Sequence, residues 1–482
     1  MNATFAPKTR LPQSTTALLV VVCLAQFMVI LDVAIVNVAL PSIDDGLHFS
    51  DTGLQWVVNA YTLTFAGFLM LGGRAADLLG RRRVFLVGTA LFALSSLACA
   101  LADSRGLLIG ARALQGFGGA VLSPATLSII ASSFAEGRER SRALGVWGAT
   151  GALGASSGAL VGGLLTQTLG WEAIFAINVP IGLAIIVSGL RLLPVSPAHD
   201  GPRHFDVSGA VLVTGGLVAL AYGIVRSDTL GWASAGVIAP ITSAVVLLAA
   251  FAYAEARIAS APLVPLSIFR HGQLRTANIV VVLLYAAFFP VWFFLTIYLQ
   301  QVMGYDALQA GVAFLPMTLS IFAASSLAPR VVARIGTRRV IASGMATAAV
   351  GMLLLTGLHP GAGYFGVVLV GAVLTALGMG FSLVPATIVA MQGVPGSQSG
   401  LAAGLLNTSR LMGGALGLAV LSTIADSRTH DAPTAGAHAL TDGFDLAFGV
   451  GALLCIAGAT LAATMLRSRP SVALAEAETQ AA

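Results

Sequence analysis

The sequence predicts an all-α integral membrane protein with fourteen transmembrane helices, arranged as two six-helix bundles with two extra helices between them. Three observations lead to this class: the composition, a series of long apolar segments, and a motif that recurs in the second half of the chain. Of the 482 residues, 57% are hydrophobic, a further 55 are Gly and only 9% are charged, whereas soluble domains are about 45–50% apolar with Gly included and ~25% charged. A water-soluble fold is therefore excluded.

Each predicted span is a mostly apolar segment of about 20 residues, the length that crosses a bilayer. The segments lie near residues 15–39, 54–73, 84–102, 107–133, 143–167, 174–193, 207–225, 234–255, 276–301, 308–332, 340–357, 364–391, 399–425 and 444–466. The first segment continues without a small-residue cleavage site, so we expect an uncleaved span rather than a removed signal peptide.

Basic residues are distributed unequally between the loops. Loops of one parity hold the arginines at 81–83, 138–142 and 338–339, whereas the opposite loops hold more aspartates. Because basic loops stay in the cytoplasm, an even number of spans places both termini there. The Ala-, Gly- and Arg-rich composition suggests a GC-rich bacterial genome, and we expect a multi-pass protein of the bacterial inner membrane.

A motif at the end of span two returns at the end of span ten. Three of its residues recur at an offset of 256 positions, with Gly80, Arg82 and Arg83 matched by Gly336, Arg338 and Arg339. At the mean spacing of this chain that offset equals eight spans, so two spans are inserted between two six-helix halves. The predicted divisions are an N-terminal bundle at 1–193, a linker with two inserted helices at 194–275, a C-terminal bundle at 276–470 and a cytoplasmic tail at 471–482.

Ionisable side chains inside a span are costly and are treated as functional by default. Three stand out: Asp32 in span one, Arg112 in span four and Arg410 in span thirteen. A desolvated carboxyl group such as Asp32 can load and release a proton near neutral pH, and Arg112 is a fixed cation that can tune it. The alternative is a structural hydrogen bond to a neighbouring helix, which we favour for Arg410.

Other residues are candidates for substrate binding and for conformational change. A ridge of small residues in span five permits close helix approach, and a charged turn after span two can close one state through ion pairs. No motif defines the pocket, so its candidates are polar residues within or at the ends of the spans: Gln26, Asn37, Asn59, Tyr61, Gln115 and Gln300. The ridge consists of Gly154, Gly158, Gly162 and Gly163, and the conformational latch of Gly73, Asp77, Gly80, Arg81, Arg82 and Arg83.

Several function classes find no support in the sequence. There is no GxxxxGK[ST] phosphate loop, no loop long enough to form a soluble domain, and no His, Cys or Asp constellation typical of a polytopic enzyme. The basic residues form no stripe with interleaved aromatics, which argues against nucleic-acid binding. We expect a monomeric protein that is not an enzyme, has no cofactor or metal, and contacts a small hydrophobic substrate, protons and membrane lipid.

Five sequence motifs occur in the first half of the chain. They are LDVAIVNVALP at 31–41, GRAADLLGRRR at 73–83, LIGARALQGFG at 108–118, GASSGALVGG at 154–163 and WEAIFAINVPIG at 171–182. On these motifs the chain resembles the major facilitator superfamily, and specifically its fourteen-span drug:proton antiporter branch of the EmrB/QacA type. The resemblance covers nearly the whole chain and departs from the branch at Ala159, where the span-five motif has proline.

The resemblance implies secondary active efflux of hydrophobic drug-like or antibiotic compounds by alternating access, driven by the proton gradient. By the same resemblance, Asp32 and Arg112 would couple protons, Asp77 and its arginines would form the latch, and the span-five glycines a sliding interface. A proton-coupled importer on the same fold and a non-transporting receptor remain alternatives. Because Asp32 is the one acid that stands out within a span, we expect neutral, monocationic or anionic aromatic substrates.

Overall fold

The computed structural model describes residues 13–49, 51–134, 138–194, 206–259, 262–264, 266–391, 399–432 and 436–466. Over these ranges the chain is helical and contains no β-strand, as the sequence predicts. Thirteen of the helices described are long and apolar enough to cross a membrane. The predicted tail at 471–482 lies outside the described residues.

We number the fourteen long helices α1 to α14 in chain order. They are α1 (Gln13–Leu47), α2 (Trp56–Leu79), α3 (Arg81–Ala100), α4 (Arg105–Ser133), α5 (Arg138–Leu169), α6 (Ala173–Leu192), α7 (Val207–Leu230), α8 (Ala235–Arg257), α9 (Gly272–Ile297), α10 (Ala307–Ile335), α11 (Thr337–Leu355), α12 (Leu369–Met391), α13 (Ser399–His430) and α14 (Ala437–Met465). A π-helical turn, Tyr298–Val302, extends α9, and another, Tyr364–Val368, precedes α12. The shorter elements are a helix at Asp51–Leu54 and a 3₁₀ helix at Leu266–Arg270.

Helix α5 is the one long helix outside the thirteen membrane-span candidates. It is 32 residues long, which exceeds the length needed to cross a bilayer. Thirteen candidate spans are therefore established for the described residues, and the fourteenth stays a prediction.

Helix packing follows the same plan in the two ends of the chain. Among α1 to α6, helix α1 packs against α4, α5 and α6, while α4 packs against α2 and α3, and α3 against α6. Each of these six pairs has a counterpart eight helices later, among α9 to α14. The sequence repeat at an offset of 256 residues thus has a match in helix packing.

The glycines of the repeat join consecutive helices at equivalent places. Gly80 lies between α2 and α3 with φ of 93°, and Gly336 lies between α10 and α11 with φ of 83°. Residues with a side chain rarely adopt such positive φ angles, because the Cβ atom collides with the backbone. The repeat therefore retains glycine for a steric reason.

Four helix pairs connect the two sets: α1 with α9, α1 with α10, α2 with α13, and α5 with α10. The remaining helices, α7 and α8, pack against each other, and α7 also packs against α2 and α13. Only 11% of the most apolar stretch of α8 is buried, compared with 67% for α1. Helix α8 consequently presents most of its apolar surface outward, as a lipid-facing helix does.

We call the side of the molecule where α1 begins and α14 ends the terminal face, and the other side the opposite face. On the opposite face, Arg105 Nε at the start of α4 donates to the carbonyl of Leu47 at the end of α1, at 2.9 Å. On the terminal face, Arg82 at the start of α3 donates to the carbonyl of Leu190 near the end of α6, at 2.5 Å. These bonds tie helix ends that are distant in sequence.

Three glycines of the α5 ridge, Gly154, Gly158 and Gly162, pack against α1. A Cβ atom on Gly158 would lie 2.5 Å from the Cβ of Ala34, and one on Gly162 would lie 2.9 Å from Cγ1 of Ile35. Gly163 instead faces α10, where a Cβ atom would lie 2.8 Å from the Cα of Leu308. The four glycines thus serve two different interfaces.

Gly158→Ala is expected to lower the stability of the folded protein, because the new methyl group meets Ala34 and its neighbouring backbone with no space to occupy. Overpacking of this kind costs about 1–3 kcal/mol. Gly110→Ala is the matched control, since a Cβ atom there has nothing within 4 Å and alanine favours the helix. Thermal unfolding of the purified variants measures the difference, and equal midpoints for the two would contradict close α1–α5 packing.

Candidate functional site: a buried ion pair between α1 and α4

Asp32 of α1 and Arg112 of α4 form an ion pair inside the first six helices. One terminal nitrogen of the guanidinium lies 2.7 Å from Oδ2 of the carboxylate. The two side chains are 0% and 1% exposed. The structure therefore brings together the two residues that the sequence selects for proton coupling.

Two side-chain amides complete the surroundings of the carboxylate. Gln115 Nε2 donates to Oδ1 of Asp32 at 2.7 Å, and Asn178 Nδ2 of α6 donates to the same oxygen at 2.9 Å. Both amide nitrogens also lie within hydrogen-bond distance of the hydroxyl of Ser96 on α3, at 2.5 and 3.2 Å. The carboxylate is thus held by residues of α4 and α6, with α3 behind them.

The guanidinium of Arg112 is equally well provided with partners. Its Nε donates to the carbonyl of Val57 at 2.9 Å, and a terminal nitrogen donates to Oε1 of Gln115 at 2.6 Å. The ring of Tyr61 lies 4.4 Å from its central carbon, and that of Phe175 lies 5.6 Å away, within the range of cation–π attraction. This environment compensates the charge of a cation that is removed from water.

The chemical consequence follows from charge balance. Taking two charges out of water is expensive, and their attraction offsets that cost only when the pair and its remaining donors and acceptors are satisfied. A proton that binds to Asp32 leaves Arg112 as an uncompensated buried cation. Protonation of Asp32 would therefore destabilise this arrangement of the surrounding helices.

The site contains two residues that the sequence does not select, Ser96 and Asn178. Asn178 belongs to the WEAIFAINVPIG run, and an amide within an apolar span is a signal that could have identified it. Ser96 gives no such signal, because serine in a helix commonly bonds to its own backbone. Its role depends on which face of α3 meets α4 and α6.

The six predicted cavity residues make different contacts in the structure. Tyr61 and Gln115 belong to the ion-pair site, whereas Gln26 accepts a hydrogen bond from Ser123 Oγ at 3.1 Å within the first six helices. Asn37 donates to the carbonyl of Val33 on its own helix at 2.9 Å.

The two remaining cavity candidates lie near the opposite face. Asn59 Nδ2 lies 3.5 Å from Oε1 of Gln55. Gln300 Nε2, in the π turn after α9, donates to the carbonyl of Val38 on α1 at 2.7 Å. Gln300 thus connects the two sets of helices.

The predicted latch lies at the terminal face, at the junction of α2 and α3. Arg82 bonds to Leu190, as described above, and the side chain of Arg83 is exposed. Arg81 is half-buried at the start of α3, and Gly73 leaves room for Pro124, whose Cβ would lie 3.5 Å from an added methyl group. The side chain of Asp77 lies outside the described residues, so its ion pairs with the arginines stay a prediction.

Arg410 on α13 contacts a tyrosine of the neighbouring helix α9. Its Nε donates to the hydroxyl of Tyr285 at 2.8 Å, and its central carbon lies 4.9 Å from the centre of that ring. This is the contact with an adjacent helix that a structural arginine makes.

Two side-chain hydrogen bonds join the two sets of helices near the opposite face. The hydroxyl of Ser422 on α13 donates to Oε1 of Gln55 at 2.7 Å, in addition to the bond from Gln300 to α1. The backbones of α5 and α10 touch where Gly311 meets the carbonyl of Ala159. Here the sets are joined by polar bonds and by direct backbone contact.

A cleft lies beside these contacts, between the end of α1 and helices α9, α13 and α14. Its lining combines carboxylates with aromatic rings: Asp44, Leu54, Phe293, Phe294, Ile297, Gln301, Ser422, Ala425, Asp426, Thr429, Leu440 and Phe444. None of the six predicted cavity residues is among them. Within the described parts of the chain, no group of His, Cys, Asp and Glu side chains has the arrangement of a metal site.

The all-helical fold, the apolar helices and the buried ion pair together define a polytopic membrane transporter. The family model described as "Major Facilitator Superfamily" matches residues 22–418. The chain therefore belongs to the major facilitator superfamily. The resemblance drawn from the five motifs is thereby confirmed, and the chain is a transporter rather than an enzyme, as its relatives are.

Two relatives are similar along almost their full length. The cephamycin export protein CmcT of Amycolatopsis lactamdurans is 40% identical over 439 residues, which cover 91% of this chain and 90% of the relative. The puromycin resistance protein pur8 of Streptomyces alboniger is 40% identical over 467 residues, 94% of this chain and 92% of the relative.

A solved structure supports the fold at low sequence identity. The crystal structure of the POT family transporter PepTSo matches with a TM-score of 0.69 and 16% identity, and the alignment covers 98% of this chain and 99% of that one. Agreement at this level of identity concerns the fold.

Asp32→Asn is expected to destabilise the protein by about 3–5 kcal/mol, because it leaves Arg112 buried without a counter-charge. The double variant Asp32→Asn, Arg112→Gln removes both charges and should recover most of that loss. Thermal unfolding of the three purified proteins measures both effects. A double variant that is less stable than Asp32→Asn alone would contradict mutual charge compensation.

Proposed function

We propose that this protein is a proton-coupled antiporter that exports hydrophobic drug-like or antibiotic compounds by alternating access. The observation that carries the proposal is the Asp32–Arg112 pair, an ionisable couple held in the interior of an apolar helix bundle. The cephamycin exporter and the puromycin resistance protein, both similar to this chain over about nine-tenths of its length, support export of an antibiotic-like compound.

The mechanism begins with the charge of Asp32. When a proton neutralises the carboxylate, Arg112 loses its counter-charge and retains only the carbonyl of Val57, the amide of Gln115 and the rings of Tyr61 and Phe175. The buried cation is then less stable in this arrangement than in one that gives it another partner or water. Proton binding thus favours one facing state over the other, which is the requirement for coupling.

The packing pattern supports the architecture that alternating access requires. Helices α1–α6 and α9–α14 share the same six packed pairs, as expected of two six-helix bundles built from a repeat. The inserted pair α7 and α8 would then be spans seven and eight of fourteen. With the basic loops in the cytoplasm, the terminal face is cytoplasmic and the opposite face is external.

This orientation also assigns the facing state. The bonds from Gln300 and Ser422 and the contact of Gly311 with Ala159 join the two bundles near the opposite face. We infer a state that is closed towards the outside of the cell. The exported compound enters from the cytoplasm or the inner leaflet, and the protein works as a monomer among membrane lipids, without a cofactor.

The proton-coupling proposal predicts that the double variant Asp32→Asn, Arg112→Gln folds but no longer exports against a gradient. Export is measured in inverted vesicles with puromycin and a fluorescent dye as probes, with and without a protonophore. Wild-type accumulation should collapse when the protonophore is added, and the double variant should accumulate no more than vesicles without transporter.

Asp103→Asn provides the matched control, since Asp103 is an exposed aspartate at the opposite face, and it should export like the wild type. Normal proton-driven export by the double variant would refute the role of the pair. Uptake in place of export under the same gradient would refute the direction.

The external closure predicts a second outcome. Gly311→Val should hold α10 away from the carbonyl of Ala159 and shift the protein towards the state open to the outside. Ala425→Cys, at a buried position of the cleft, reports this state through labelling by a membrane-impermeant maleimide. The native Cys23, Cys99 and Cys455 are buried, so background labelling should be low.

Labelling of Ala425→Cys should increase at least several-fold when Gly311→Val is added, and export should decrease. Gly449→Val is the control, because a Cβ atom at Gly449 has nothing within 4 Å. Equal labelling with and without Gly311→Val would show that the α5–α10 contact does not close this face.

A further inference from the structure

Two carboxyl groups meet at the terminal-face end of the inserted helices. Asp206 is the N-cap residue of α7, and Glu255 lies in the last turn of α8. Their side chains are only 7% and 5% exposed, and the carboxyl groups are in hydrogen-bond contact. A Cβ atom on Gly209 would lie 2.5 Å from Oδ2 of Asp206 and 2.8 Å from Oε1 of Glu255, so both oxygens face the same point on α7.

Three of the four carboxylate oxygens accept hydrogen bonds from other donors. Oδ1 of Asp206 accepts from the backbone N–H of Gly209 at 2.7 Å and from the hydroxyl of Ser208 at 2.8 Å. Oε1 and Oε2 of Glu255 accept from the backbone N–H groups of Leu263 and Val264, at 3.2 and 2.9 Å.

The fourth carboxylate oxygen has no hydrogen-bond donor in the described part of the chain. Oδ2 of Asp206 is buried and has no donor among the described groups when both carboxyl groups are ionised. An unpaired buried acceptor costs free energy, and two ionised carboxylates in contact repel each other. A single proton between Oε1 and Oδ2 removes the repulsion and satisfies the unpaired oxygen.

The helix ends determine which residue carries that proton. Asp206 sits at the N-terminus of α7, where the helix dipole and free N–H groups stabilise a negative charge, whereas Glu255 sits near the C-terminus of α8, where they do not. Burial raises the pKa of Asp206. The hydrogen bonds from Gly209 and Ser208 lower it by a larger amount, so the net pKa lies below its usual value. The proton therefore belongs to Glu255, which donates it to Asp206.

We propose that Asp206 and Glu255 are a second proton-binding site, distinct from Asp32, in which one shared proton joins α7 to α8. The same carboxyl pair accepts the N–H groups of residues 263 and 264, in the segment that leads to α9. The site thus connects the inserted helices to the second six-helix set, and its proton holds that connection together. It stands independently of the export proposed above.

Few other charges act on the pair. Arg257, two residues beyond Glu255, has an exposed side chain. Helix α2 packs against α7 and carries Arg74 and Asp77 towards the terminal face. No described basic side chain forms an ion pair with either carboxyl group, so the shared proton is the compensation available within the described residues.

The proton has a consequence for stability. In the unfolded chain Asp and Glu have pKa values of about 3.9 and 4.3, so neither binds a proton at neutral pH, whereas the folded pair binds one. Where the folded state binds more protons, stability falls as the pH rises. Deprotonation would weaken the attachment of α7 and α8.

Infrared spectroscopy of the purified, full-length protein tests for the proton directly. At neutral pH the wild type should show a C=O absorption of a protonated carboxyl group that Glu255→Gln removes. Asp206→Asn should remove it as well, because the new amide donates to Glu255, which then ionises, and because asparagine still caps α7. Glu172→Gln, at an exposed glutamate, should leave it unchanged. An absorption retained in both pair variants would overturn the proposal.

The pH dependence of unfolding provides the second measurement. The wild-type midpoint should fall as the pH rises between about 5 and 8, whereas Glu255→Gln, whose amide supplies the missing donor permanently, should hold its midpoint constant. Parallel curves for the two proteins would overturn the shared proton. So would stabilisation of the wild type, but not of Glu255→Gln, by millimolar Ca²⁺ or Mg²⁺, because the pair would then be a cation site.

Discussion

The first six helices are organised around the need to compensate two buried charges in an apolar interior. Asp32 and Arg112 come from different helices, and α2, α3 and α6 supply the carbonyl, hydroxyl, amide and rings that complete their surroundings. Each partner must be in place at once, because an unpaired buried charge or donor is costly. The ion pair therefore fixes the relative positions of five helices.

Small residues provide the complementary constraint. Lipid tails are as apolar as the surfaces of the helices, so burial of apolar surface does not favour one helix contact over lipid. Close packing depends instead on backbones that approach without large side chains between them. Helix α5 illustrates this on two sides, with Gly158 against α1 and Gly163 against α10. One side lies within the first set of helices and the other lies between the sets, so α5 links the ion-pair helices to α10 of the second set.

The inserted helices are held differently from the rest. Helix α8 is mostly exposed on its apolar surface, so packing alone attaches it weakly. At the terminal face, Glu255 joins it to Asp206 of α7 and to the backbone at 263 and 264. The sequence offers no role for this pair, because the contact between the two carboxyl groups depends on how α7 packs against α8.

The sequence by itself determined the class of fold, the helical segments, the repeat and the choice of Asp32 and Arg112, because hydropathy and the scarcity of charge inside a membrane are properties of single segments. It did not predict the hydrogen-bond partners of Gln26, Asn37 and Gln300, although all are polar residues within or at the ends of apolar helices. Nor did it select Ser96, or pair Asp206 with Glu255 across 49 positions. Those outcomes depend on which faces of distant helices meet, and only tertiary packing decides that.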